Sequence, residues 1–225
     1  MQMEVPRQNV LFVHGLWMNG IETWWLRHRV AAHGFATHAA SYPTMHASAE
    51  QVAQQLAGQI ADLAPPVHLV GHSLGGLMLL KLFELLPEQP PGRVVLLGSP
   101  VAGSHAARSV AGWAIGPSLL GNIAVEEIVR RGSRNWTLPR ELGVIAGSTS
   151  AGLGRLVSDL PEPNDGTVAV EETRVEGMTD HIVLPVTHTG MLASASVAEH
   201  VVQFLNTGRF LEQVPGTSQD VPGTS

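Results

Sequence analysis

Apolar residues recur along this chain in two rhythms. Short, nearly unbroken runs lie at residues 9–14, 35–41, 67–70, 93–97, 142–146 and 181–186. Each is bounded by glycine, proline or a polar cluster, and each reads as a buried strand. Between the runs the spacing changes. Val52, Leu56, Ile60 and Leu63 recur at helical intervals within residues 47–63, and Pro65 and Pro66 close that segment. Val197, Val201, Phe204 and Leu205 do the same within residues 195–205, which stop near Gly208. Residues 23–33 and 77–86 complete the helical set. Strands alternating with helices require crossover connections. The pattern therefore predicts an α/β fold: a doubly wound, mostly parallel sheet of about six strands with helices on both faces. Coverage on both faces explains why the strands are continuously apolar rather than alternating.

Two stretches break the pattern. Residues 101–136 are long, glycine-rich and partly apolar, which suits either a cover over a site or a pair of surface helices. Residues 211–225 repeat Val-Pro-Gly-Thr-Ser twice and are expected to be a disordered tail behind a single domain at 1–210.

Composition narrows the function classes. Of 225 residues, 44% are apolar and 14% charged, enough to bury a substantial core. The net charge is −6 and no basic block occurs, so a nucleic acid partner is not expected. The absence of cysteine excludes disulfides, thiolate metal sites and cysteine nucleophiles. The first seven residues lack the basic start and apolar core of a signal peptide, and no run is long enough for a transmembrane segment. A cytoplasmic protein is the expectation. Eleven histidines raise the question of a metal, but no H-E-x-x-H pattern occurs, and none is expected.

Candidate chemistry centres on Gly71-His72-Ser73-Leu74-Gly75, where a strand-like run gives way to a helix-like one. At this glycine and serine content, a random chain of the same length would contain G-x-S-x-G roughly one time in six. The flanking elements give the motif its meaning. Strand, tight turn, helix is the context of a nucleophile elbow, which projects a serine hydroxyl clear of the backbone. Such a serine needs a base, an orienting acid and donors for the oxyanion. The expected chain order is serine, acid, histidine. Four histidines follow Ser73: His105, His181, His188 and His200. His188 directly follows the last strand, on the side where the serine turn must lie, and is the predicted base. Asp165, in Pro-Asn-Asp-Gly-Thr, is the predicted acid, with Asp159, Glu162 and Asp180 as competitors. The plain alternative for Asp165 is ordinary turn chemistry. The backbone N–H groups of Leu74, at the helix start, and of Leu16, after the first strand, are the predicted oxyanion donors.

Together, Val13-His14-Gly15, the elbow with Gly76, Asn164-Asp165-Gly166-Thr167 and His188-Thr189-Gly190 resemble the α/β-hydrolase superfamily, most closely small bacterial lipases and esterases and lipase-like inositol deacylases. The resemblance covers nearly all of the chain before the tail. It implies the α/β-hydrolase fold without the first antiparallel strands. It also implies hydrolysis of a small-molecule acyl ester through an acyl-enzyme, with no cofactor. Trp17, Met18 and Trp113 are candidate walls of an acyl pocket, against the alternative that they simply pack. An acyltransferase or thioesterase on the same residues is the nearest rival, and a non-catalytic binding protein on this scaffold is a more distant one.

Overall fold

The computed structural model describes residues 7–44, 47–104, 123, 126–127, 135–150 and 160–212. Most of the expected cover and tail lies outside these residues, as do Trp113, His105 and Asp159.

Among the described residues, six strands form one sheet: β1 (Asn9–Val13), β2 (Ala36–Ala39), β3 (Val67–His72), β4 (Val94–Leu97), β5 (Leu142–Gly147) and β6 (Asp180–Leu184). Their order is β2-β1-β3-β4-β5-β6, and every adjacent pair is parallel. Four α-helices occur among the described residues: α1 (Trp24–Ala32), α2 (Ala49–Ala61), α3 (Leu74–Leu85) and α4 (Ala195–Thr207). The chain runs outward from β1 to β2, then returns past β1 to β3 and proceeds the other way. The reversal makes the gap between β1 and β3 a switch point, where the loops leaving the two strands part and open a crevice.

Strand parity sorts the core into two layers. Leu11, Val13, Leu69, Val94, Leu96 and Val144 point to the face covered by α2 and α3. Val10, Phe12, Val70, Val95, Leu97 and Ile145 point to the face covered by α1 and α4. Each such side chain contributes about 1.5–3 kcal/mol on burial. Local chemistry fixes the helix ends. Ser48 and Gln51 form a reciprocal capping box at the start of α2. The Ser194 hydroxyl accepts from Val197 N–H at the start of α4, and Gly208, at φ 76°, ends it.

The elements depart from the sequence pattern at one instructive place. β3 continues to His72, two residues beyond the apolar run, because Gly71 and His72 still pair with Leu96 and Leu97 of β4. α3 then starts at Leu74, three residues before the apolar run from 77, so Gly75 and Gly76 belong to its first turn. Strand and helix are separated by Ser73 alone.

Candidate active site

Ser73 sits at φ 54°, ψ −122° and joins β3 to α3 without a side-chain cap bond. A non-glycine residue there is strained by roughly 1–3 kcal/mol. Tight packing holds the strain in place. A methyl carbon at Gly71 would lie 2.6 Å from Gly76 Cα, and one at Gly75 would overlap the carbonyl oxygens of Val13 and His14. Only glycine lets the helix descend this close to β1 and β3. Ser73 N–H donates to Leu97 O at 2.9 Å, which ties the turn to the end of β4.

The loop after β1 meets the same turn. A methyl carbon at Gly15 would lie 3.2 Å from Ser73 Cβ and 3.3 Å from His72 Nδ1. Leu16 follows immediately, and Leu74 is the first residue of α3. Among the described residues, neither N–H has a hydrogen-bond partner. Leu74 N–H is one of the free donors that open every helix, at the positive end of its dipole. Trp17 comes next, at φ 59° and 60% exposed. Met18 is partly buried against the core layer beneath α1.

Asp165 and His188 meet across 23 residues of sequence. Asp165 is fully buried, and its Oδ2 lies 2.7 Å from His188 Nδ1. Its Oδ1 accepts from Thr167 N–H at 2.9 Å and Val168 N–H at 2.7 Å. The turn chemistry and the histidine contact, posed as alternatives by the sequence, are therefore shared between two oxygens of one carboxylate. His188 N–H also donates to Asp165 O at 2.9 Å. The carboxylate accepts from Nδ1–H, which leaves His188 Nε2 with a free lone pair.

The pair is docked at the end of β4. A methyl carbon at Gly98 would lie 3.1 Å from both Asp165 Oδ2 and His188 Nδ1. Gly98 follows Leu97, the acceptor for Ser73 N–H. Serine turn and Asp–His pair thus share one strand end. The rings of His72 and His188 are 4.8 Å apart. Burial, with the nearby His188 ring as a smaller cause, pushes His72 down to about 3.

The other candidates are placed elsewhere. His181 lies within β6 and contacts Thr173 Oγ1 at 3.1 Å; His200 is on α4. Asp180 accepts from His181 and Phe210 N–H groups. Among the described residues, no group of three or more His, Asp or Glu is placed to hold a metal ion. The sequence assigns His72 no role within the motif. The signal was its parity, since His68, Val70 and His72 alternate onto one face of β3.

The fold and this arrangement define a class. Residues 10–215 match the alpha/beta hydrolase family, and the chain belongs to it. Similar solved structures include the mature lipase BlEst2 of Bacillus licheniformis, at 17% identity and TM-score 0.69, covering 92% of this chain and 94% of that one. RedJ, a thioesterase from the prodiginine pathway of Streptomyces coelicolor, aligns at 14% identity and TM-score 0.60, covering 89% and 90%. The carboxylesterase CesB of Bacillus subtilis aligns at 13% and 0.57, covering 90% and 84%. At these identities the likeness concerns the fold. No curated protein matches the chain. Among the described residues, no helix is long and apolar enough to cross a membrane.

Proposed function

We propose that this protein is a serine hydrolase that cleaves carboxylic esters, with Ser73 as nucleophile, His188 as base and Asp165 as the acid that orients it. The observation that carries the reading is the Asp165–His188 pair, docked through Gly98 on the strand end that anchors the strained serine turn. In this reading Ser73 Oγ attacks the ester carbonyl while His188 Nε2 takes its proton. The N–H groups of Leu16 and Leu74 stabilise the oxyanion. His188 then protonates the departing alcohol and activates the water that releases the acid. Asp165 holds the imidazole tautomer and stabilises the imidazolium as it forms. Trp17, exposed directly after Leu16, lines the entrance. Residues 1–210 make up the hydrolase domain, and residues 101–136 are its candidate cover.

Fluorophosphonate labelling tests the reading. The wild-type chain should label, and Ser73→Ala should not. Turnover of p-nitrophenyl esters of increasing acyl length then defines the acyl preference, and added alcohol reports any transfer in place of hydrolysis. Labelling that persists in Ser73→Ala would overturn the assignment.

A further inference from the structure

Residue 188 is held at three points. Two come from Asp165: its main-chain oxygen accepts from His188 N–H, and its carboxylate accepts from Nδ1–H. These fix His188 relative to residue 165, but they do not reach the strand that carries Ser73. The third does. His72 Nε2 lies 3.0 Å from His188 O. A carbonyl oxygen only accepts, so His72 carries its proton on Nε2 and donates it there.

We propose that His72 is a positioning residue that sets the separation of nucleophile and base by tying the main chain of residue 188 to the serine turn. The proposal rests on the reading of Ser73 and His188 given above.

Its geometry is direct. His72 is covalently adjacent to Ser73, and the φ, ψ of the serine are fixed by the packing of Gly71, Gly75 and Gly76. A bond from residue 72 to residue 188 therefore transmits the position of one reacting group to the other through a single side chain. His72 is 2% exposed, so water cannot easily replace the bond. Loss of the donor would leave a carbonyl of the base's own loop without its partner. The second nitrogen supports the assignment. His72 Nδ1 is buried and has no partner among the described residues. The ring's one donor is thus committed to residue 188. Burial also keeps His72 neutral, so it does not oppose the positive charge that develops on the His188 ring 4.8 Å away.

The test compares His72→Leu with His72→Gln in the full chain. The amide N–H of glutamine can reach the same carbonyl, whereas leucine offers no donor. Three quantities are read: kcat and KM for a p-nitrophenyl ester, the rate of fluorophosphonate labelling, and the thermal midpoint. His72→Leu is expected to lower kcat about 10- to 100-fold with little change in KM, since displacement of a reacting group by roughly 1 Å has that effect. Labelling should slow in parallel, and His72→Gln should restore most of both. If His72→Leu fails to fold, His72→Met fills similar volume without a donor and takes its place. The proposal is overturned if the donor-free variant keeps wild-type kcat, or if it and His72→Gln lose kcat equally. Failure of the underlying reading is separable: it appears as full activity in Ser73→Ala.

Discussion

Strand β3 carries a buried histidine near each end, and the two ends do different work. His68 lies toward the amino end and His72 at the carboxyl end, on the same face of the strand. Burial keeps both neutral: His68 is pushed down to about 4, with Arg93 and Arg140 adding to the effect, and His72 to about 3. Their bonding differs. Both nitrogens of His68 are engaged, one with Gln8 Oε1 at 2.7 Å and one accepting from Arg93 N–H at 2.9 Å. The neighbouring Arg140 donates to Gln89 O and Pro90 O and lies over the Phe83 ring at 4.8 Å. A cavity of about 570 Å³ opens at this rim, lined by Gln8, His68, Arg93, Arg140 and Glu141 among others. The bonds of His68 and Arg140 serve to close loops. At the opposite rim the backbone of Ser73 is strained, two N–H groups have no partner among the described residues, and an Asp–His pair leaves the second ring nitrogen with its lone pair. A displaced histidine titration and a cavity therefore do not by themselves mark a reactive site. What sets the proposed site apart is strain combined with polar atoms that have no partner among the described residues.

Substitutions at the two rims should separate activity from stability. The largest expected effect is at the carboxyl rim: Ser73→Ala should reduce ester hydrolysis by about ten-thousand-fold or more, with an unchanged circular dichroism melting curve. Asp165→Asn should cost roughly a thousand-fold or more in kcat by disturbing the tautomer of His188. Wild-type rates in that variant would assign the orienting role to another carboxylate. Gly75→Ala would force the helix start away from the Val13 and His14 carbonyls, and should cost about 3 kcal/mol or more in urea unfolding.

The amino rim should respond in stability alone. Arg140→Ala is expected to lose about 2 kcal/mol of stability while leaving kcat per folded molecule intact. The two buried histidines also predict a pH dependence. Their folded pKa values lie below the unfolded 6.5, so the unfolded chain binds more protons as pH falls. The contribution of these groups is full above pH 6.5 and is lost as pH falls toward about 4 for His68 and about 3 for His72. His68 alone should account for roughly 2 kcal/mol of the loss at pH 5. In His68→Gln the slope of unfolding free energy between pH 7 and 5 should be correspondingly shallower. An unchanged slope would remove His68 from the account. The smallest effect is expected from Leu16→Ala, within about threefold in kcat, because the proposed donor is main chain.

Much of this organisation was legible in the sequence. Six apolar runs correspond to six strands, and Val52, Leu56 and Ile60 mark the buried stripe of α2. Gly71, Ser73 and Gly75 mark the turn between β3 and α3, and Asp165 and His188, singled out from the sequence, lie in contact. The limits have a physical cause. Gly98 gives no local sign that it packs against Asp165 and His188, because that contact depends on β4 lying between β3 and β5. The bond from His72 to His188 spans 116 residues and has the same dependence. Trp17, Trp24 and Trp25 invite placement in a core, yet are 60%, 49% and 54% exposed. Hydrophobicity cannot say which apolar side chains a crossover leaves outside.

The strand order carries a consequence for how the molecule matures. Ser73 leaves β3, Asp165 follows β5 and His188 follows β6, so the serine turn and the Asp–His pair are brought to one rim only with β4 in place between them. On the proposed assignment, a nascent chain that has emerged only as far as β5 still lacks His188, the base. On that assignment, reactivity toward a fluorophosphonate would require β6 to have joined the sheet, so the label would report that step of folding.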